Sequence, residues 1–446
     1  MRLLSETLPL GQPGGPVFAN AYPEIEPDAL SNVERFMQGQ PFDVYARLRS
    51  EAPVAWQREG NNGPGFWALT RYNDVMRVDG DPKTFSSQKG GILMAYGPPE
   101  TRHPLLFRAS VDAMINMDAP WHLQLRKEHM PYFTPGYLDG IRKKVAAETT
   151  RLIDDMAGLG ECDLVEALSS RLPLFTLCEI LGVPQSDQPK FITWMHYLEV
   201  AGYITAKQRK EAQAPTPELM KFVKALNENV AEMFEYGQHM LQKRRADPKP
   251  DLMSAIARAT IDGELLRNEY LDGSWLLIVF AGNDTTRNSI SGSMKLLTEF
   301  PDQKRELMAD LALLPNAVDE LIRMISPVIY MRRTATEDTE IGRQKIAAGE
   351  KVIMYYGAAN RDPAIFPDPD SLDIRRANAS KNIAFGFGPH VCIGKRVAQL
   401  QLEEVYRQLL TRLPDIEYAG GIEMAPNNFV HAIRKLPVRF TPQRSA

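Results

Sequence analysis

The stretch Phe385-x-x-Gly388-x-x-x-Cys392-x-Gly394 constrains this chain more than any other. It puts one cysteine in a glycine-punctuated loop that runs into a helix with Ala398, Leu402, Val405 and Leu409 on a shared face. Glycines let the backbone come close to a flat group. A thiolate at a helix start gains from the positive end of the helix and from loop amides aimed at sulfur, which suits it to bind iron. A lone cysteine is more often a buried small hydrophobe. The loop around Cys392 is what turns the reading towards a metal ligand.

Composition sets the frame for that loop. The 446 residues are 44% hydrophobic and 24% charged, the balance of a globular protein. Lys plus Arg number 52 against 56 Asp plus Glu, a net charge of -4, so no global positive field exists to hold nucleic acid. Cys162, Cys178 and Cys392 lie far apart and make a poor disulfide framework, which favours a reducing, cytoplasmic home. Met1 to Asn20 shows neither a signal peptide nor an anchor, and the longest apolar run, Trp275 to Ala281, is too short to span a bilayer. A soluble protein without a membrane anchor is expected, with a monomer as the default.

No internal repeat or low-complexity block appears, and the 33 prolines are spread along the chain, so residues 1–446 read as one domain. Val54 to Gln57 and Phe66 to Thr70 flank a turn rich in Gly and Asn and predict a hairpin in a small sheet. Helical spacing over Lys143 to Ile180 and Pro217 to Arg245 predicts a mainly α protein. Met195 to Pro217 reads as two helices with a mobile join, a candidate lid. Lys351 to Tyr356 reads as a strand, followed by a proline-rich meander, Asp362 to Pro369, whose irregular backbone needs side-chain support.

Two helical constellations stand out. Tyr270 to Leu297 has a helical pattern interrupted by Ala281-Gly282-Asn283-Asp284-Thr285-Thr286, poor helix formers placed after an apolar run. Such a conflict points to a functional site, since Thr side chains can take backbone carbonyls out of the ladder and open a groove. The bland reading is a helix N-cap at Asp284 with Thr285 as filler. Glu320 and Arg323, at i and i+3, can pair on one helix face. An exposed pair of that kind contributes only about 0.5 kcal/mol, and the motif is common.

The cysteine loop resembles the haem-binding signature of the cytochrome P450 family. The resemblance runs from about Asn116 to the C-terminal region, with the landmarks in family order. It implies a single large helical haem-thiolate fold, mainly α with small β-sheets, holding haem b. By the same resemblance Cys392 is the axial ligand to iron, His390 a partner for a haem propionate and Phe385 the ring beside the sulfur, with Gly388 and Gly394 completing the loop. Asp284 and Thr285 would relay protons during dioxygen activation. Asn360-Arg361-Asp362-Pro363, Phe366-Pro367 and Asp373-x-x-Arg376 resemble the family's meander, in which Arg376 completes a buried structural cluster with Glu320 and Arg323. Propionate clamps are expected at His122 and Arg126, which share a helix face, and at Arg333. Arg332 is the alternative there, and the spacing to Thr336-Glu337-Asp338 favours Arg333.

The resemblance implies a monooxygenase that puts one atom of dioxygen into a C–H bond. The chain has no Gly-x-Gly-x-x-Gly fingerprint and no iron–sulfur cysteine set, so its two electrons come from outside. A ferredoxin and a ferredoxin reductase, with NAD(P)H as the ultimate donor, are the expected partners, docking near Arg126, Lys127, Lys395 and Arg396. Those charges are equally compatible with an ordinary solvated surface. The substrate is expected to be a hydrophobic small molecule held by Leu93, Met94, Ile278, Ala281, Val328, Ile329, Phe429 and Val430, although several of these could instead be core residues. Gly282 to Ser289, Met331 to Ala335 and Leu436 to Arg439 look most like the branch that hydroxylates alkanes and fatty acyl chains, with part of the pattern shared by steroid hydroxylases. Gly90 to Arg108 does not look typical of that branch, which leaves terpenoids, sterols and aromatic hydrocarbons open. A peroxide-driven peroxygenase is the alternative enzyme, and a non-catalytic haem sensor or carrier the alternative of another class. Asp284 and Thr285 speak for dioxygen activation over both.

Overall fold

The computed structural model describes Ser5 and residues 15–59, 63–94, 102–198 and 216–443. The architecture is mainly α-helical with small β-sheets. The helices that carry the site are α1 (Tyr72–Gly80), α2 (Trp121–His129), α3 (Pro217–Ala246), α4 (Asn268–Glu299), α5 (Leu314–Ile325) and α6 (Lys395–Arg412). Local chemistry explains their ends. At the start of α3 the Thr216 hydroxyl accepts the Leu219 N–H and Pro217 fills the first turn, while Lys243, Arg244 and Arg245 sit at the negative end of the dipole. Helix α5 stops at Ser326, whose left-handed φ of 45° is costly for a residue with a Cβ. Its hydroxyl donates to the Arg323 carbonyl and accepts from the Asn360 amide, which offsets that cost.

The chain divides into two compact units. The first comprises Met1–Thr7, Gly97–Ile141 and Leu174–Asn283. Its core gathers Phe191, Trp194, Tyr236 and Trp275, with ring centroids 5.0 to 6.1 Å apart. A Cβ added at Gly237 would lie 2.8 Å from the Trp275 ring, so this glycine lets α3 and α4 close on the indole.

The second unit comprises Leu8–Tyr96, Arg142–Pro173 and Asp284–Ala446. It holds a five-stranded sheet of β1 (Val54–Gln57), β2 (Phe66–Leu69), β3 (Phe85–Ser86), β4 (Tyr330–Ala335) and β5 (Lys351–Tyr355), in the order β1-β2-β5-β4-β3. The expected hairpin is β1 against β2, and β5 runs parallel to β2 and antiparallel to β4. Side chains alternate across the pleat. Phe66, Ala68, Ile353 and Tyr355 feed one core cluster, while Trp67, Leu69, Val352 and Met354 feed another. The same alternation sends Arg332 and Arg333 to opposite faces of β4.

The helical spacing over Lys143 to Ile180 resolves into two helices. A helix over Pro135–Ala157 ends at Gly158 and Gly160, the latter at φ 76°. The chain then forms a short strand, Glu161–Asp163, paired with Pro437–Arg439, before helix Arg171–Leu181. Conversely, α4 runs unbroken through Ala281–Thr286, and Asp284 is not an N-cap. Propensity deficits of about 0.5 kcal/mol per residue are too small to break a helix anchored by buried turns on both sides. The candidate lid falls largely on residues 199–215, which lie outside the described residues. Among the described residues, no helix is long and apolar enough to cross a membrane.

Candidate active site

The cysteine loop is shaped by left-handed glycines. Gly386 and Gly388 have φ of 72° and 68°, a region that a side chain strains. Gly388 also has no room for one, since its Cβ would lie 2.6 Å from the carbonyl oxygen of Asp79. Gly388–His390 makes one 3-10 turn, and the Cys392 N–H donates to the Phe385 carbonyl at 2.9 Å. Cys392 is thereby held just ahead of α6, with its residue exposed to solvent. The Lys395 ammonium stands 5.4 Å from the Phe385 ring centroid, and the His390 Nε2 lies 3.3 Å from the Ser87 hydroxyl. A Cβ on Gly394 would come within 3.8 Å of the sulfur.

Strand β4 separates the two candidate arginines. Arg333 is buried on the face of the cysteine loop, where its Nη2 donates to the Asp79 carboxylate at 2.6 Å and its Nη1 to the Arg332 carbonyl at 2.8 Å. A guanidinium has five donors, so the geometry leaves capacity for a further carboxylate. Arg332 faces the other way, donating to Thr334 Oγ1 and the Leu93 carbonyl, and it packs so tightly on Gly90 that a Cβ there would lie 1.9 Å from Nη2. On α2, His122 is buried and Arg126 half-buried, one turn apart on one face.

In α4 residues 270–276 and 286–294 are buried, but Ala281 is exposed and Ile278 and Thr285 are partly so, an accessible stripe at helical spacing. Gly282 lacks a side chain where one would come within 3.1 Å of Leu177. Further carbonyls of this turn are held by side chains one turn on. The Asn288 side-chain amide donates to the Asp284 carbonyl at 2.7 Å, and the Ser289 hydroxyl donates to the Thr285 carbonyl at 2.8 Å. Asn288 also accepts the Ile433 N–H at 2.7 Å, and the Asp284 carboxylate lies 3.5 Å from Arg287.

Glu320, Arg323 and Arg376 come together in a buried cluster. Arg323 meets both oxygens of Glu320 at 2.7 and 2.8 Å, and Arg376 adds a bond to Oε1 at 2.9 Å. Arg323 also donates to the carbonyls of Asn360 and Pro369, and Arg376 to those of Pro367, Asp368 and Ser371. These bonds supply the side-chain support that the meander needs.

The expected substrate residues do not form one set. Met94 and Ile329 are buried in the core cluster with Val44, Tyr45 and Leu48, and Ile329 is only 1% exposed, so they are packing residues rather than lining. Backbone bonds fix them there: the Ile329 N–H donates to the Phe429 carbonyl, the Ile329 carbonyl accepts the Tyr356 N–H, and the Met94 N–H donates to the Tyr330 hydroxyl at 3.0 Å. Leu93, Val328, Phe429 and Val430 remain partly accessible, with Val328 bridged to Val430.

The donor set of the second unit fits a haem: a cysteine on a loop where Gly388 has no clearance for a side chain, with His390 and Arg333 as groups that would meet carboxylates. Sequence reading missed Asp79, which accepts from Arg333, Tyr356 and Phe387. Its signal was an acid near the C-terminal end of a helix, against the dipole. It also missed Lys351, which bonds Glu59 and the Met94 carbonyl from inside the sheet.

Comparison with known proteins agrees with this geometry. The family model described as Cytochrome P450 matches residues 101–414. The chain is 35% identical to linalool 8-monooxygenase of Pseudomonas putida over 94% of this chain and 100% of that protein. It is 30% identical to steroid C26-monooxygenase of Mycolicibacterium smegmatis over 93% of each. Among solved structures, Mycobacterium marinum cytochrome P450 CYP268A2 in complex with pseudoionone superposes with a TM-score of 0.82 at 34% identity, covering 95% of this chain and 100% of the other.

Proposed function

Since the chain belongs to the cytochrome P450 family and is a monooxygenase with haem b as its cofactor, we propose that it hydroxylates a terpenoid-sized hydrophobic molecule, with electrons from a ferredoxin and its reductase. The observation that carries this reading is the exposed Cys392 on a loop shaped by left-handed Gly386 and Gly388, the latter with no clearance for a side chain. Bound haem supplies the activation of dioxygen, one atom of which enters a C–H bond while the other leaves as water. Everything else falls to the protein. Cys392 would bind the iron, and by the family resemblance Phe385 would pack beside the sulfur. Arg333 and His390, and by the same resemblance His122 and Arg126, would meet the propionates by charge-assisted bonds. Arg333 is preferred over Arg332 because it faces the cysteine loop, whereas Arg332 is engaged at Leu93.

On α4, Asp284 and Thr285 would hold and pass the protons that dioxygen activation needs. The Asp284 carboxylate lies 3.5 Å from Arg287, longer than a tight charge-assisted bond, and keeps acceptor sites for a proton. The Asn288 and Ser289 tethers hold this turn in place. The partly accessible, largely apolar Ile278, Ala281, Val328, Phe429 and Val430, with Leu93, orient the substrate chiefly by shape. The linalool and pseudoionone relatives favour terpenoids over straight alkyl chains, and the steroid relative keeps larger polycycles as a second choice. The relatives span nearly the whole chain, which supports one catalytic domain over residues 1–446. Its three cysteines, far apart in sequence, support a cytoplasmic home.

The test is spectroscopic. Haem-loaded protein, reduced and treated with carbon monoxide, is expected to show the red-shifted Soret band of thiolate ligation, and Cys392→Ser to lose it. Acyclic terpenoids are expected to shift the ferric spin state more strongly than n-alkanes of equal carbon number. Equal or reversed responses would remove the terpenoid assignment.

A further inference from the structure

The end of α1 violates a local rule that nothing local repairs. Asp79 is the last residue but one of the helix, where the partial negative charge of the C-terminal carbonyls disfavours a carboxylate, and Gly80 follows it. It is also only 2% exposed. A buried carboxylate in such a place needs compensation from elsewhere in the fold. Arg333 Nη2 donates to Oδ1 at 2.6 Å, while Oδ2 accepts the Phe387 N–H at 2.8 Å and the Tyr356 hydroxyl at 3.1 Å. Phe387 lies between the left-handed Gly386 and Gly388, and Gly388 has no clearance from the Asp79 carbonyl. The cysteine loop is thus clamped to α1 by one charged side chain and by backbone contact, and the same carboxylate neutralises a buried arginine assigned above to a propionate.

We propose that Asp79 is a positioning residue for the haem centre, which sets the place of the cysteine loop through Phe387 and the charge of the propionate side through Arg333. The proposal rests on the cytochrome P450 reading. A buried anion in this network opposes reduction of the iron, because it stabilises the more positive ferric state. Asp79→Asn keeps the shape and an acceptor for Phe387 but removes the charge and leaves Arg333 uncompensated, and both changes act in the same direction.

The experiment compares full-length, haem-loaded wild type, Asp79→Asn, Tyr356→Phe and Asp74→Asn. Asp74→Asn makes the same charge change on α1 outside the network. Reduction potential is read by spectroelectrochemical titration, and the lifetime of the red-shifted Soret band of the reduced carbon monoxide form is followed in parallel. Asp79→Asn is expected to raise the potential and to shorten that lifetime several-fold. Tyr356→Phe keeps the anion but removes a donor that screens it, so it should lower the potential slightly while shortening the lifetime, and Asp74→Asn should match wild type. If Asp79→Asn lowers only the melting temperature and keeps the wild-type potential and lifetime, Asp79 is merely structural and the proposal fails. Should Asp79→Asn not take up haem, Tyr356→Phe decides, and a wild-type potential there overturns the idea. Absence of the Soret band in wild type would instead bring down the family-based assignment of Cys392.

Discussion

The carbonyl of Thr285 already accepts the Ser289 hydroxyl, so the backbone of this residue is secured independently of its own side chain. Thr285→Ala should therefore fold and bind substrate normally while losing its part in proton delivery. The expected outcome is a several-fold fall in product formed per NAD(P)H, with the electrons diverted to hydrogen peroxide. Undiminished coupling would show that another group moves the proton, and full activity with added peroxide alone would favour the peroxygenase alternative. His129 makes a different prediction. It is buried on α2 with no hydrogen-bond partner for Nε2, and burial first, then the Arg126 charge, pushes its pKa down from 6.5 to about 4. The unfolded chain takes up a proton below pH 6.5 and the folded one only near 4. Stability is therefore full above pH 6.5 and falls as pH drops through that window, by up to roughly 3 kcal/mol at 1.36 kcal/mol per pH unit. Urea unfolding at pH 7 and pH 5 checks this, with His129→Gln expected to flatten the slope.

At the scale of elements, the meander hangs on α5. Glu320 and Arg323 are fully buried, and Arg376 nearly so, and the two arginines reach five meander carbonyls between them. Replacing only the acid leaves two buried guanidinium groups without their anion. Glu320→Gln should cost about 3 to 5 kcal/mol, the usual penalty for breaking a buried pair. Chemical denaturation measures that cost, and faster haem release to an acceptor protein would show that the meander steadies the loop behind the cofactor. A loss below 1 kcal/mol would mean that the cluster is as dispensable as an exposed pair. The helices themselves show why propensity misled at α4. Its polar turn lies between well-buried turns, and Asn288 and Ser289 occupy the carbonyls that weak helix formers would expose.

At the scale of the whole molecule, the proposed ferredoxin would dock through surface charge. Lys127 is exposed, whereas Lys395 is half-buried against the Phe385 ring. Lys127→Glu is therefore the cleaner probe. It should slow reduction by a ferredoxin at low ionic strength, and the difference from wild type should vanish as salt is raised. Stopped-flow reduction checks this, and identical rates at low salt would move the docking site elsewhere. What the residues alone determined was the chemistry carried by short-range pattern. The cysteine loop, the helical periodicity, the hairpin and the Glu-x-x-Arg pair depend on neighbours in the chain, where spacing fixes geometry. Tertiary structure alone decided which side chains face one another. It separated Arg332 from Arg333 by strand alternation, sent Met94 and Ile329 into the core, and brought Asp79 to a loop some three hundred residues away. Burial and long-range hydrogen bonding have no period in sequence, because they arise only when distant segments share one interior.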